Sequence, residues 1–87
     1  MAIPVRYWRD KAGSEVDFVM ERNRDEVDAF ECKWNPASFN AKSLKTFRSY
    51  YPNGRNYLVS PSAVQPYERR YGDLVVRVCT PTEFKAS

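Results

Sequence analysis

The chain has 87 residues, which is enough for one domain and too few for two. Hydrophobic residues make up 43%, charged residues 29%, and the net charge is +3, so the chain is globular and permits contact with nucleic acid without requiring it. Because the sequence contains no histidine, Ser-His-Asp and Cys-His catalysis and every imidazole metal site are excluded.

Three β-strands are predicted in the first part of the chain. They cover residues 3–9, 15–21 and 26–34, where β-branched and aromatic residues are frequent or alternate with charged ones. Residues 10–14 form a turn cluster, and residues 22–25 form a polar link. Sequential strands with such short links favour an antiparallel meander.

One helix is predicted after this meander. Asn40 is placed to cap a helix over residues 41–51, which ends before Pro52. The spacing gives this helix an apolar side made of Leu44, Phe47, Tyr50 and Tyr51. Its opposite side is predicted to carry Lys42, Lys45 and Arg48.

Two further strands are predicted beyond the helix. They cover residues 57–59 and 74–79, with a loop over residues 61–73 between them. Residues 81–84 are expected to form one helical turn that docks Phe84. The order strand-strand-strand-helix-strand-strand predicts an α+β fold, a mixed sheet with one helix on one face.

The polar link between the second and third strands predicts their register. A turn centred on Arg24 places Asp17 opposite Glu31 and Glu15 opposite Lys33, so all four side chains project from one face. The other face then receives an apolar set made of Val16, Phe18, Met20, Phe30, Cys32 and Trp34.

Two explanations of the charged face stay open from the residues alone. Antiparallel sheets commonly have one solvated face, on which Glu15 and Lys33 would form a cross-strand ion pair. Alternatively, the carboxylates of Asp17 and Glu31, with Cβ atoms about 4.5–5.5 Å apart, repel each other unless a divalent cation lies between them. Lys33 would then orient an attacking water or stabilise charge on a phosphate, as phosphodiester hydrolysis requires.

The cysteines and the N-terminus bear on the compartment. Cys32 and Cys79 follow no signal peptide, and no apolar run approaches the about 20 residues of a membrane span. We therefore expect a cytoplasmic protein with no membrane contact and with reduced, buried thiols. Trp34 and Phe47 are also expected in the core. A metal site without histidine must use carboxylates, which suits Mg²⁺ or Mn²⁺.

Residues 13–19 and 30–34 together carry a family resemblance. The E-x-D of Glu15 and Asp17, followed by the E-x-K of Glu31 and Lys33, resembles the core of the PD-(D/E)XK nuclease-like superfamily. Nearly the whole chain resembles the C-terminal domain, of largely unknown function, that follows the ATPase module in a family of prokaryotic AAA-type ATPases. The flanking parts of that resemblance are Tyr7-Trp8-Arg9, Trp34-Asn35-Pro36, the stretch from Phe47 to Pro52, and Pro81-x-x-Phe84.

The resemblance implies a restriction-endonuclease-like fold over residues 1–87, without the helix that usually precedes the first strand. It implies that Asp17 and Glu31 bind Mg²⁺ or Mn²⁺, that Glu15 is an accessory carboxylate, and that Lys33 is the catalytic lysine. The implied activity is metal-dependent cleavage of DNA. The chain would then be a fragment of a longer ATPase or a stand-alone relative.

A function without catalysis is the alternative. The fold would then serve as an accessory domain that docks on DNA, on an AAA-type ATPase module or on a second copy in a homodimer. Four basic residues are candidates for contact with a phosphate backbone, although a solvated surface is the simpler explanation for each of them. They are Lys42, Lys45, Arg48 and Arg55.

Overall fold

The computed structural model describes residues 5–63 and 65–80, and these ranges contain six strands and one α-helix. The strands are β1 (Val5–Arg9), β2 (Glu15–Asn23), β3 (Glu26–Cys32), β4 (Asn56–Val59), β5 (Tyr67–Tyr71) and β6 (Leu74–Cys79). The helix is α1 (Lys42–Tyr50), and a short 3-10 turn over Pro36–Ser38 precedes it. The helical turn predicted at residues 81–84, with Phe84, lies outside the described residues.

All six strands form one mixed sheet in the order β1-β2-β3-β4-β6-β5. Strands β1, β2 and β3 make the antiparallel meander that the short links predict. Strand β4 is parallel to β3, because α1 carries the chain back between them, and it is also parallel to β6 on its other side. The meander, the helix and the mixed sheet confirm the α+β class, although the sheet has one strand more than predicted.

The core lies between α1 and one face of the sheet. Leu44 and Phe47 of α1 are buried there, as predicted for the apolar side of the helix, whereas Tyr50 and Tyr51, predicted on the same side, lie at the end of the helix and are exposed. Leu58 of β4 and Val76 and Val78 of β6 are fully buried beneath them. Asn40 accepts a hydrogen bond from the backbone N–H of Lys42 at 2.8 Å, which supports the predicted start of the helix.

Strand β2 contains a bulge that changes which residues face the core. Val19 lies opposite Arg6 of β1 and Val16 lies opposite Trp8, so β2 advances by three residues where β1 advances by two. The extra residue lets Val16 and Val19 both point into the core, where their exposed fractions are 0% and 6%.

The prediction that one apolar face of this hairpin is buried is therefore wrong. Of the predicted apolar set, Val16 is buried, but Phe18 is 47% exposed and Trp34 is 77% exposed. The helix covers the other face of β3, which carries Ala29 and Glu31, both buried. Simple alternation cannot anticipate this outcome, because the bulge shifts the phase of β2 and the helix selects the covered face.

Strand β5 lies where the sequence predicts a loop. Its residues Tyr67–Tyr71 pair antiparallel with β6, and Tyr67 lies opposite Val78. Four of its five residues are exposed, because β5 is an edge strand of the sheet. Because Glu68, Arg69 and Arg70 are all charged, the segment lacks the apolar alternation by which a strand is predicted from sequence.

Arg48 lies on the buried side of α1, and the prediction that it shares an exposed side with Lys42 and Lys45 is wrong. Its guanidinium donates five hydrogen bonds, one to the side chain of Asn56 and four to backbone carbonyls. The four carbonyls belong to Val27, Tyr51, Asn53 and Arg55. Arg48 therefore joins α1 to β3 and to the segment that leads into β4.

Within residues 5–63 and 65–80, no helix is both long enough and apolar enough to cross a membrane.

Candidate functional site

The predicted register of the β2–β3 hairpin is confirmed from Phe18 to Glu21, and the observed pairs end one residue short of the predicted Asp17–Glu31 pair. Phe18 pairs with Phe30, and Glu21 pairs with Val27. Asp17 comes one residue before these pairs, where its Oδ2 accepts a hydrogen bond from the backbone N–H of Cys32 at 2.9 Å. A side chain thus takes the place of a backbone acceptor at this end of the hairpin.

Glu31 is a buried carboxylate with an unsatisfied oxygen. Its exposed fraction is 8%, and its Oε1 has no hydrogen-bond partner in the described structure. Burial and then the neighbouring charge of Asp17 raise the pKa of Glu31 from 4.5 to about 7. A hydrogen bond from the Asp17 backbone and the charge of Lys33 act in the opposite direction, and neither cancels the rise.

Asp28, on the same strand, shows how this chain satisfies a buried carboxylate. Asp28 is 7% exposed, and both of its oxygens accept hydrogen bonds from the guanidinium of Arg22. Its Oδ1 also accepts the backbone N–H of Arg55 at 2.9 Å. Asp28 therefore has a complete structural role, whereas Glu31 lacks a partner of this kind.

Lys33 and Glu15 complete the predicted cluster. Lys33 is half-buried, its backbone N–H donates to the carbonyl of Val59 at 3.0 Å, and its charge lowers the pKa of Glu31. Glu15 is exposed at the start of β2, and its charge raises the pKa of Glu31. The charges of the other three predicted residues therefore all act on the carboxyl group of Glu31.

Tyr7 of β1 also belongs to this cluster, although the sequence analysis does not single it out. Tyr7 faces the bulge, since it lies between Arg6 and Trp8 on β1. Partial desolvation, a hydrogen bond to Glu15, and the charges of Glu15 and Asp17 raise the pKa of its phenol. Had the pairing of β1 with β2 been predicted, it would have placed Tyr7 near Glu15.

The thiol of Cys32 lies beside the two carboxylates. Cys32 is exposed, so the prediction of a buried thiol is wrong here, whereas Cys79 is buried as predicted. Burial of part of its surface, followed by the charges of Asp17 and Glu31, raises the pKa of the Cys32 thiol. The thiol is therefore kept in its protonated, less nucleophilic form.

The predicted nucleic-acid residues lie away from the carboxylates. Lys42 and Lys45 line a cleft of about 490 Å³ with Tyr71 and Gly72. Arg55 lines a second groove, of about 710 Å³, at the beginning of β4. Arg48 forms part of the wall of that groove, but it is 8% exposed and committed to its five internal hydrogen bonds.

The described residues contain no group of three or more His, Cys, Asp or Glu side chains placed to hold a metal ion. Asp17 and Glu31 are the two carboxylates that could contribute ligands to a cation here, and its other ligands would come from water or substrate.

Comparison with known proteins places the chain in a family. No curated protein matches it. The sequence model of one domain family, described as Domain of unknown function (DUF4143), matches residues 1–82. Because this match extends over nearly the whole sequence, the chain belongs to the DUF4143 family.

Proposed function

We propose that this domain is a PD-(D/E)XK nuclease-like unit that holds Mg²⁺ or Mn²⁺ between Asp17 and Glu31 and hydrolyses a phosphodiester bond in DNA. The observation that carries the proposal is the orphaned Oε1 of buried Glu31 next to a second carboxylate. Burying an ionised carboxylate without a partner is costly, and a cation between the two groups removes that cost.

The residues at the site fit such a cation. Asp17 and Glu31 offer hard oxygen donors, which Mg²⁺ and Mn²⁺ prefer, and Glu15 is close enough to add negative charge. When bound, the ion would polarise a phosphoryl oxygen and favour deprotonation of a bound water.

Lys33 supplies the positive charge that phosphodiester hydrolysis needs beside the metal ligands. Its charge acts on Glu31, so its ammonium group lies within electrostatic reach of the place where a phosphate would bind. There Lys33 would orient the attacking water or stabilise negative charge that develops on the phosphate.

The fold and the family are compatible with this function. An antiparallel meander is followed by a helix and by a strand parallel to β3, and the E-x-K pair lies at the end of β3 next to the Asp of β2. DUF4143 membership is compatible with a domain that follows an ATPase module, which would then be its partner.

The first test is a calorimetric titration with MnCl₂ and MgCl₂. The wild-type chain is expected to bind, and Asp17→Asn and Glu31→Gln are expected to lose binding. Asp25→Asn, in the exposed turn between β2 and β3, is the matched control and should bind like the wild type. Absence of binding in the wild type would reject the proposed site.

The second test is cleavage of plasmid and branched DNA in Mn²⁺. Lys33→Ala should still bind the metal but lose cleavage, because Lys33 is proposed to act on the phosphate and the water rather than on the ion. Cleavage at the wild-type rate by Lys33→Ala would refute its assigned role.

A DNA-binding domain without catalysis is the second candidate. It is favoured by the exposure of Lys42, Lys45 and Arg55, which are free to contact phosphates along α1 and at the start of β4. Binding that weakens steeply with salt in the wild type, that is weaker and less dependent on salt in a Lys42→Ala/Lys45→Ala variant, and that comes with no cleavage in Mn²⁺ would favour this candidate. Homodimer formation remains a prediction, which the mass of the chain in solution tests.

A further inference from the structure

One row of side chains crosses the face of the sheet that lies opposite α1. Phe18 of β2 pairs with Phe30 of β3, Phe30 pairs with Tyr57 of β4, and Tyr57 pairs with Arg77 of β6. Residues that pair across strands project from the same face, and the next residue of a strand projects from the other. Leu58, which follows Tyr57, is fully buried in the core. The four paired side chains therefore lie side by side on the face away from the core.

Much of this row is apolar and accessible to solvent. Phe18 is 47% exposed, whereas Phe30 and Tyr57 are half-buried and stack with their ring centroids 4.9 Å apart. Val75, two residues before Arg77 on the same face, is 38% exposed. We call these five residues the open face. Among the described residues, the one α-helix packs on the opposite side of the sheet and leaves the open face uncovered.

The two ends of the row differ in shape and in charge. At the β6 end, the groove of about 710 Å³ is lined in part by Tyr57, Val75 and Arg77. At the β2 end, the exposed ring of Phe18 is the last side chain of the row. An aromatic ring and a guanidinium attract each other when the cation lies over the ring. The ring at one end is therefore complementary to the groove and cation at the other.

A two-fold rotation brings these complementary ends together. When two copies face each other and the axis runs along the strands between β3 and β4, β2 of one copy lies over β6 of the other. Phe18 then lies over Arg77 of the partner, and the Phe30–Tyr57 pairs of the two copies meet at the centre. Every contact is made twice, as in an isologous dimer. The strands of the two sheets keep nearly the same direction, as aligned sheet packing requires.

We propose that the open face joins two copies of this chain, with Phe18 of each copy seated in the groove beside Arg77 of the other. A standard interface takes roughly 800 Å² from each partner, about one eighth of the 6193 Å² that this chain exposes. One face of a six-stranded sheet can supply that fraction. The inference is independent of the proposed nuclease function, because buried Glu31 lies on the face that the helix covers.

The first test is sedimentation equilibrium over a range of concentrations. The wild-type chain should change from monomer to dimer as its concentration rises. Phe18→Ala should weaken this association at least about 10-fold, because it removes the ring from the groove. Phe18→Arg should weaken it further, since it brings two guanidinium groups together. Tyr67→Ala is the matched control and should dimerise like the wild type, because Tyr67 is 41% exposed but pairs with buried Val78 and so lies on the other face.

An exchange of charges tests the pairing of Phe18 with Arg77. In Phe18→Arg/Arg77→Glu, the introduced guanidinium of each copy faces the introduced carboxylate of the other. This double variant should associate at least about 10-fold more tightly than Phe18→Arg alone, an outcome that loss of structure cannot produce. Circular dichroism should show that each variant is folded. A double variant that associates no better than Phe18→Arg would overturn the proposed arrangement.

Dilution of the wild-type chain, followed by NMR, tests the interface without any substitution. The ring signals of Phe18 and Tyr57 and the methyl signals of Val75 should shift between concentrated and dilute samples, whereas the ring signals of Tyr67 should not. A monomer at every concentration, concentration-dependent shifts confined to other surfaces, or wild-type association of Phe18→Arg would each overturn the inference.

Discussion

The carboxylate of Asp17 accepts the backbone N–H of Cys32 at 2.9 Å, so a β2 side chain is tied to the residue between Glu31 and Lys33. The same carboxylate raises the pKa of Glu31. Asp17 thus has two roles: its oxygen accepts a hydrogen bond within the hairpin, and its negative charge raises the pKa of Glu31. Different substitutions can separate the two roles.

Asp17→Asn should keep the first task and remove the second. The amide oxygen can still accept the Cys32 N–H, so we expect little change in the free energy of unfolding and a lower pKa of Glu31. Asp17→Ala loses the acceptor as well, which should cost about 0.5–1.5 kcal/mol. Urea denaturation and a carboxyl NMR titration of Glu31 measure the two effects. Equal stability losses in both variants would contradict the separation.

Glu31 makes stability depend on pH near neutrality. Its pKa in the folded chain is about 7, above the 4.5 of an unperturbed glutamate, so between these values the folded state binds more protons than the unfolded state. The contribution of Glu31 is therefore fully present below about pH 4.5 and is lost as the pH rises through about 7. The loss is on the order of 3 kcal/mol at most.

Urea denaturation of the wild type and of Glu31→Gln checks this dependence. The measurements are made at roughly pH 5, 6, 7 and 8, so that the pH passes through the pKa of Glu31 in the folded chain. The wild type should lose stability across the series, while Glu31→Gln should be nearly constant. A parallel loss in the two proteins would assign the effect to another group.

Removal of Arg48 should be the most destabilising of the substitutions considered. Arg48→Ala removes all five hydrogen bonds that the guanidinium donates and takes the donor from the side chain of buried Asn56, so we expect a loss of about 3 kcal/mol or more. Lys45→Ala, three residues earlier on the exposed side of the same helix, should change stability by less than about 0.5 kcal/mol. Chemical denaturation compares them, and similar losses would exclude a structural role for Arg48.

Gly54 is required beside Arg48. Its φ is +139°, and a Cβ atom added there would lie 1.9 Å from the carbonyl oxygen of Val27. Gly54→Ala must therefore move backbone, and we expect a loss of more than about 2 kcal/mol. Gly13→Ala is the control, because Gly13 has a φ of +93° but nothing within 4 Å, so it should cost about 1 kcal/mol. Equal melting temperatures for the two variants would be inconsistent with the clash.

The two thiols should react differently with a disulfide reagent. Cys32 is exposed and Cys79 is buried, so one thiol should react in the native chain and the second only after denaturation. Partial burial, followed by the charges of Asp17 and Glu31, raises the pKa of the Cys32 thiol, so a divalent cation between the two carboxylates should accelerate its reaction. Rapid labelling of native Cys32→Ser, or a rate indifferent to Mn²⁺, would contradict this.

The hairpin register was predictable because a polar link fixed the turn and because charged and bulky residues alternate on both strands. The residue pairs from Phe18–Phe30 to Glu21–Val27 follow that register. The buried face was not predictable in this way. The bulge in β2 places Val16 and Val19 on one side, and the packing of α1, a tertiary property, decides that Glu31 and not Phe30 is covered.

The position of Arg48 could have been inferred, whereas that of β5 could not. Arg48 is four residues after Leu44 and adjacent to Phe47, which places it on the apolar side of the helix by spacing alone. Arg48 was instead predicted on the exposed side of the helix because its guanidinium is charged. In β5, Glu68-Arg69-Arg70 has no apolar alternation, and only its pairing with β6 reveals a strand.

The extra residue in β2 divides the strand into two parts whose side chains alternate in different phases. On one side of it Val19 packs into the core; on the other Val16 packs into the same core, while Glu15 is exposed and Asp17 accepts the Cys32 N–H. Deleting that residue would restore a single alternation along β2, so Val16 and Val19 could no longer both face the core. The insertion therefore allows one strand to fill the core on both sides of the acidic side chain that it presents.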